Sequence, residues 1–103
     1  MDVRESYIEK RLIAWAKANG WFFRKLQWIG RHGAPDRLFI KGGGVCFIEL
    51  KQKGKKPTDV QQREIDRMRE AGAEVWVADS IELGITILSK PRPKIYPWDE
   101  GLI

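Results

Sequence analysis

Apolar residues recur at helical spacing near the start of the chain. Ile8, Leu12, Trp15 and Ala16 fall on one stripe, and Asn19-Gly20 supplies a stop signal, which predicts a helix from about Glu5 to Asn19. Trp21 to Ile29 is rich in aromatic and β-favouring residues and predicts a strand; Gly30-Arg31-His32-Gly33-Ala34-Pro35 then reads as an irregular loop. Two apolar runs, Arg37–Lys41 and Val45–Leu50, flank Gly42-Gly43-Gly44. Glycines supply the positive φ angles of a tight turn, so this segment predicts a hairpin. Val45–Leu50 is apolar on both faces until its last residues, as expected of a strand near the middle of a sheet.

A second helix is predicted from about Thr58 to Ala71, stopped by Gly72. Gln61, Ile65 and Met68 share one of its faces. Glu74–Ala78 reads as a short buried strand. Beyond it, Asp79-Ser80 can cap a further helix, yet Ile85–Leu88 reads equally well as strand. Pro91, Pro93 and Pro97 make residues 90–103 an extended tail, and Tyr96 and Trp98 suit it for docking, a dimer contact being one use. The order helix, three strands, helix, strand predicts one α/β domain over residues 1–103, with a mixed central sheet flanked by helices.

Composition narrows the setting. The chain has 103 residues, room for one core, and 43% hydrophobic with 32% charged residues is the balance of a water-soluble globular protein. Apolar runs fall short of the ~18 residues that cross a bilayer, and Met1–Ser6 is too polar for a signal peptide. A single cysteine, Cys46, excludes a disulfide framework within the chain and suits a reducing cytoplasm. The net charge of +5 favours a polyanionic partner, and Lys51-Gln52-Lys53-Gly54-Lys55-Lys56 concentrates that charge in a segment too polar to be core.

The chemistry concentrates in Pro35-Asp36 and Glu49-Leu50-Lys51. Residues two apart on a strand share a face, so Glu49 and Lys51 project together while Leu50 turns away. Asp36 opens the neighbouring strand and can lie beside Glu49. Two carboxylates and the Leu50 carbonyl offer hard oxygen ligands suited to Mg²⁺ or Mn²⁺. Such a cation can acidify a water and stabilise charge on a phosphate under attack, and Lys51 can orient that water or steady the charge. An isolated acid-x-Lys triplet is usually an ordinary strand end. This one ends an apolar strand, where unpaired charge is costly, and a Pro-Asp and a basic loop accompany it.

With these motifs in place the chain resembles the VRR-NUC branch of the PD-(D/E)xK nucleases, from Glu5 to about Ser80. The resemblance rests on Glu5-Ser-x-Ile-Glu9 in the first helix, Gly33-Ala34-Pro35-Asp36, Ile48-Glu49-Leu50-Lys51 and Gln61 at the start of the next helix. It implies a restriction-endonuclease-like αβββαβ core. It also implies a metal site of a first-helix glutamate, Asp36, Glu49 and the Leu50 carbonyl, a lysine, Lys51, that assists DNA hydrolysis, and a supporting Gln61. Glu5 and Glu9 stack on one helix face. Glu9, beside Leu12, Ile13 and Ala16, edges the buried side and is the preferred first-helix ligand, with Glu5 as a capping or solvent residue.

Arg31, Lys53, Lys55 and Lys56 are candidate DNA contacts, joined by His32, Arg24 and Lys25; His32 is more readily incidental than catalytic. Trp15 and Trp76 fit apolar faces, whereas Trp28 and Trp98 suit a dimer contact or stacking on an unpaired base. The function expected from the resemblance is a Mg²⁺- or Mn²⁺-dependent, structure-selective endonuclease. It would act as a homodimer on branched DNA such as Holliday junctions, as free-standing, often phage-borne members do. The alternatives are a flap- or end-acting nuclease and a catalytically silent nucleic-acid-binding module.

Overall fold

The computed structural model describes residues 4–92. Seven elements follow in order: α1 (Glu5–Ala18), β1 (Phe22–Lys25), β2 (Arg37–Lys41), β3 (Gly44–Leu50), α2 (Asp59–Glu70), β4 (Val75–Ala78) and α3 (Ile81–Leu88). The four strands form one sheet in the order β1-β2-β3-β4, antiparallel except for the parallel pair of β3 with β4. The mixed sheet flanked by helices is therefore present.

Glycine chemistry sets the hairpin. Lys41 pairs with Gly44, and the two residues between them, Gly42 and Gly43, both have positive φ (59° and 84°). Two successive left-handed residues match the twist of the flanking strands and fix the register of β2 on β3. That register decides which side chains of β3 meet which helix. Cys46, Ile48 and Leu50 are fully buried in one cluster with Ile8, Leu12 and Ala16 of α1, Phe39 of β2, and Ile87 and Leu88 of α3. Alternation sends Phe47, Glu49 and Lys51 to the opposite face. There α2 packs against β4, burying Ile65 and, at its edge, the carboxylate residue Glu64.

The two helices of the first face meet closely at Gly84. A Cβ built there would lie 2.8 Å from both Cδ atoms of the fully buried Leu12. The ambiguous segment after β4 is thus a helix: the Ser80 hydroxyl accepts from the Leu83 N–H at 3.0 Å, and Gly84 admits α1. The strand expected over Trp21–Ile29 stops at Lys25, with one further ladder bond from Leu26 N–H to the Asp36 carbonyl at 3.0 Å. Trp21 packs edge-on against Phe39 in the core instead of joining the sheet. Trp28 is drawn out of line towards α2. Of the predicted tail, Lys90 to Arg92 is described, and Arg92 ion-pairs with Glu74. Tyr96 and Trp98 lie outside the described residues. Among the described residues no helix is long and apolar enough to cross a membrane.

Candidate active site

The end of β3 brings together three of the five expected catalytic groups from two adjacent strands, and the start of α2 adds a fourth. The β2–β3 register runs Arg37 against Ile48, so the next step outward sets Asp36 opposite Glu49. Asp36 Oδ2 accepts a hydrogen bond from the Leu50 N–H at 2.7 Å. One carboxylate thereby replaces a ladder bond at the point where the strands part. The register sets the Asp36 and Glu49 side chains next to one another, near enough for the charge of Asp36 to act on the Glu49 carboxyl group. Glu49 is only 2% exposed, and burial, reinforced by the neighbouring charge of Asp36, raises its pKa from 4.5 to about 7.

Lys51, two residues on, lies on the same face. Its Nζ stands 3.3 Å from Glu49 Oε2 and donates to Gln61 Oε1 at 2.6 Å. The position of Gln61 is itself fixed by helix initiation. Thr58 caps α2, its Oγ1 accepting from the Gln61 N–H at 3.2 Å, and Gln61 Oε1 accepts in return from the Thr58 N–H at 2.9 Å. This reciprocal capping box leaves the same oxygen to receive the lysine.

The two glutamates of α1 differ in their surroundings. Glu9 Oε2 accepts from Arg37 Nε at 2.8 Å, with both side chains about four-fifths buried, so this carboxylate ties α1 to β2. Glu5, one turn nearer the helix start, has its pKa raised by burial and then by the charge of Asp36, opposed by Lys51 and added to by Glu9. The carboxyl group of Glu5 therefore lies within the electrostatic reach of the Asp36–Lys51 pair.

Among the described residues no three His, Cys, Asp or Glu side chains close into a ready-made metal cage. The donor chemistry nonetheless fits a hard cation. Two crowded carboxyls, one of them buried and reluctant to ionise, form the kind of site that a divalent cation relieves. Mg²⁺ commonly takes one or two protein carboxylates and leaves its remaining positions to water and phosphate.

The basic candidates divide. Lys53, Lys55 and Lys56 are exposed on the loop after Lys51, which is anchored by a bond from the Gly54 N–H to Asp79 Oδ2 at 3.0 Å. Arg31 and His32 are exposed on the loop before Asp36. Arg31 comes within 3.5 Å of Glu64. Nothing local in the sequence marks Glu64. It is 8% exposed and also accepts from Trp28 Nε1 at 2.7 Å, which gives that tryptophan a place in the fold. A charged residue on a charged helix carries no signal of burial, and its partner lies 36 positions away.

No family model matches this chain. Comparison with curated proteins finds "Putative nuclease p44" of Acyrthosiphon pisum secondary endosymbiont phage 1, 40% identical over 82 residues that cover 79% of this chain and 88% of that protein. Among solved structures, one described as a VRR_NUC domain superposes with a TM-score of 0.76 at 34% identity, over 85% of this chain and 97% of the other. A relative matched along nearly its whole length and a shared three-dimensional core agree with the Asp36 and Glu49-x-Lys51 constellation: the chain belongs to the VRR-NUC nuclease family.

Proposed function

We propose that this chain is a divalent-metal-dependent endonuclease that hydrolyses DNA phosphodiesters at the Asp36–Glu49–Lys51 end of the sheet. The observation that carries the reading is the position of Lys51. Its ammonium is held between Glu49 and Gln61 on the face that also carries the two carboxyl groups. Membership of a nuclease family supports the same chemistry.

In this reading Asp36, Glu49 and the Leu50 carbonyl hold Mg²⁺ or Mn²⁺, and α1 contributes an acid. Glu5 suits that part better than Glu9, because Glu9 is engaged by Arg37 whereas Glu5, one turn away on the same helix face, makes no side-chain hydrogen bond or ion pair among the described residues. The bound cation supplies Lewis acidity to the phosphate. Lys51 donates to a non-bridging phosphate oxygen as negative charge builds there, and Gln61 keeps Nζ pointed into the site. Glu49, on losing its proton, becomes an acceptor able to orient a water for attack.

The substrate is branched DNA, four-way junctions in particular, cut by a homodimer. One domain carries one such site and cuts one strand per encounter, whereas a two-fold pair matches the symmetry of a junction. The basic surface of the +5 chain supplies affinity for closely spaced phosphates.

The test is cleavage of labelled four-way, flap, splayed and duplex DNAs with Mg²⁺ or Mn²⁺, alongside Asp36→Asn and Glu49→Gln. Metal-dependent cutting of the junction that both substitutions abolish, with DNA binding retained, is the expected result. Full activity in either variant would overturn the assignment. Sedimentation at micromolar concentration decides the stoichiometry, and a monomer that still makes paired symmetric nicks contradicts the dimer.

A further inference from the structure

The loop before Asp36 is fastened to α2 in a way that the chemistry at Lys51 does not use. Glu64 is the fastener: Oε2 accepts from Trp28 Nε1 at 2.7 Å, while Oε1 faces Arg31 at 3.5 Å and Arg67 at 3.4 Å. Gly33 completes the closure. Its φ is +96°, and a Cβ there would come within 3.0 Å of the Val60 carbonyl oxygen and 3.1 Å of Glu64 Cβ. Such a residue is strained in anything but glycine, and the approach leaves no room for a side chain.

The result is an open groove of about 500 Å³ between loop and helix, lined by Gly30, Arg31, His32, Val60, Arg63 and Arg67. One carboxylate, Glu64, meets two of the three guanidinium groups that line the groove, so the groove keeps a net positive charge even with those ion pairs made. Arg31 and Arg67 side chains remain 58% and 60% exposed, and Arg63 makes no ion pair among the described residues. Val60, Arg63 and Arg67 recur at helical spacing on one flank of α2, while Gln61 beside them turns to Lys51. Gln61 Cα is also 3.5 Å from the position of a Gly33 Cβ. The groove and the lysine thus share a wall.

We infer that this groove is a second phosphate grip, holding the sugar-phosphate backbone of a nucleic-acid strand through Arg31, Arg63 and Arg67 next to the reacting phosphodiester. The inference rests on the nuclease reading for what the strand is doing there, though not for its charge. Guanidinium groups pair with phosphate oxygens through two parallel N–H bonds, and the Glu64 clip orders two of them in advance. Fastening the loop to α2 also fixes the distance between the gripped phosphate and Lys51, so the strand is delivered in register.

The deciding measurement is binding of a fluorescein-labelled four-way junction and a labelled duplex in EDTA, across a series of salt concentrations. Arg63→Gln/Arg67→Gln should lower the slope of log affinity against log salt by about two units, one per lost contact, on both DNAs. Arg63→Gln alone, which leaves the Glu64 cluster intact, should lower it by about one. Arg63→Lys/Arg67→Lys should restore most of the slope, because a charge is restored at each position. Parental slopes in both glutamine variants would overturn the grip. The parent chain assayed with Mg²⁺ on the same DNAs separates the two readings: binding with the stated slopes but without cutting supports the grip and sinks the nuclease.

Discussion

Gln61 Oε1 receives two donors at once, Lys51 Nζ at 2.6 Å and the Thr58 backbone N–H at 2.9 Å. The first turn of α2 and the lysine at the end of β3 are therefore organised by a single amide oxygen. Substitution at two positions separates these roles. Thr58→Ala removes a cap and should cost about 1 kcal/mol of stability while leaving cleavage largely intact. Gln61→Ala should cost a similar amount and in addition lower kcat severalfold or more, because Nζ loses its anchor. Thermal melts paired with single-turnover cleavage distinguish the two, and equal activity losses would place the effect in the helix alone.

The two glutamates of α1 should fail in opposite ways. Glu9→Gln weakens the tie to Arg37 and should cost about 1–3 kcal/mol, as expected for a hydrogen bond to a charged partner. Glu5→Gln should leave the melting temperature near the parental value and reduce metal-dependent cleavage more than Glu9→Gln does. The reverse ranking of activity would assign the α1 ligand to Glu9.

Glu49 makes stability depend on pH in a definite direction. Its folded-state pKa is raised from 4.5 to about 7, so between those values the folded chain holds a proton that the unfolded chain has released. Stability of the metal-free protein should then fall as pH rises from about 4.5 to 7, and Glu49→Gln should flatten that part of the curve. Because a carboxylate must be ionised to hold a cation, Mg²⁺ affinity should climb as pH passes through about 7. Calorimetric titration with Mg²⁺ at pH 6 and pH 8 checks the sign.

Neutralising Lys53, Lys55 and Lys56 together should weaken binding to every DNA form and lower the salt slope by up to about three units. The anchoring bond runs from the Gly54 backbone N–H to the Asp79 carboxylate, uses none of the three lysine side chains and survives these substitutions. An unchanged slope would make this loop an ordinary solvated surface.

At the contact of α1 with α3, Gly84→Ala should cost about 1–3 kcal/mol, because the added methyl overlaps a fully buried Leu12. Urea unfolding measures this directly, and a neutral result would mean that the two helices separate easily.

Much of this arrangement is legible in the sequence because it follows from short-range periodicity. Glu49 and Lys51 share a face by strand alternation, and Gln61 is distinguished from Gln62 by its helical spacing to Ile65 and Met68. The undecided features depend on residues far apart. Ile85–Leu88 suits either regular structure locally, and it is the Ser80 cap and the packing of Gly84 on Leu12 that make it a helix. Glu5 and Glu9 stand on the same helical face and part company only through Arg37, 28 positions after Glu9. Trp28, three residues past the end of the first strand, reaches Glu64, a charged residue whose burial no local pattern announces.

The bond from Leu50 to Asp36 has a consequence for the newly made chain. It forms in the single β2–β3 alignment that pairs Lys41 with Gly44 around the Gly42-Gly43 turn. A slip of one residue would send Glu49 and Lys51 to the α1 side and bring Leu50 to the site in their place. A copy slipped by one residue therefore lacks the assembled set of charged groups, and the site comes into being only with the hairpin that closes in register.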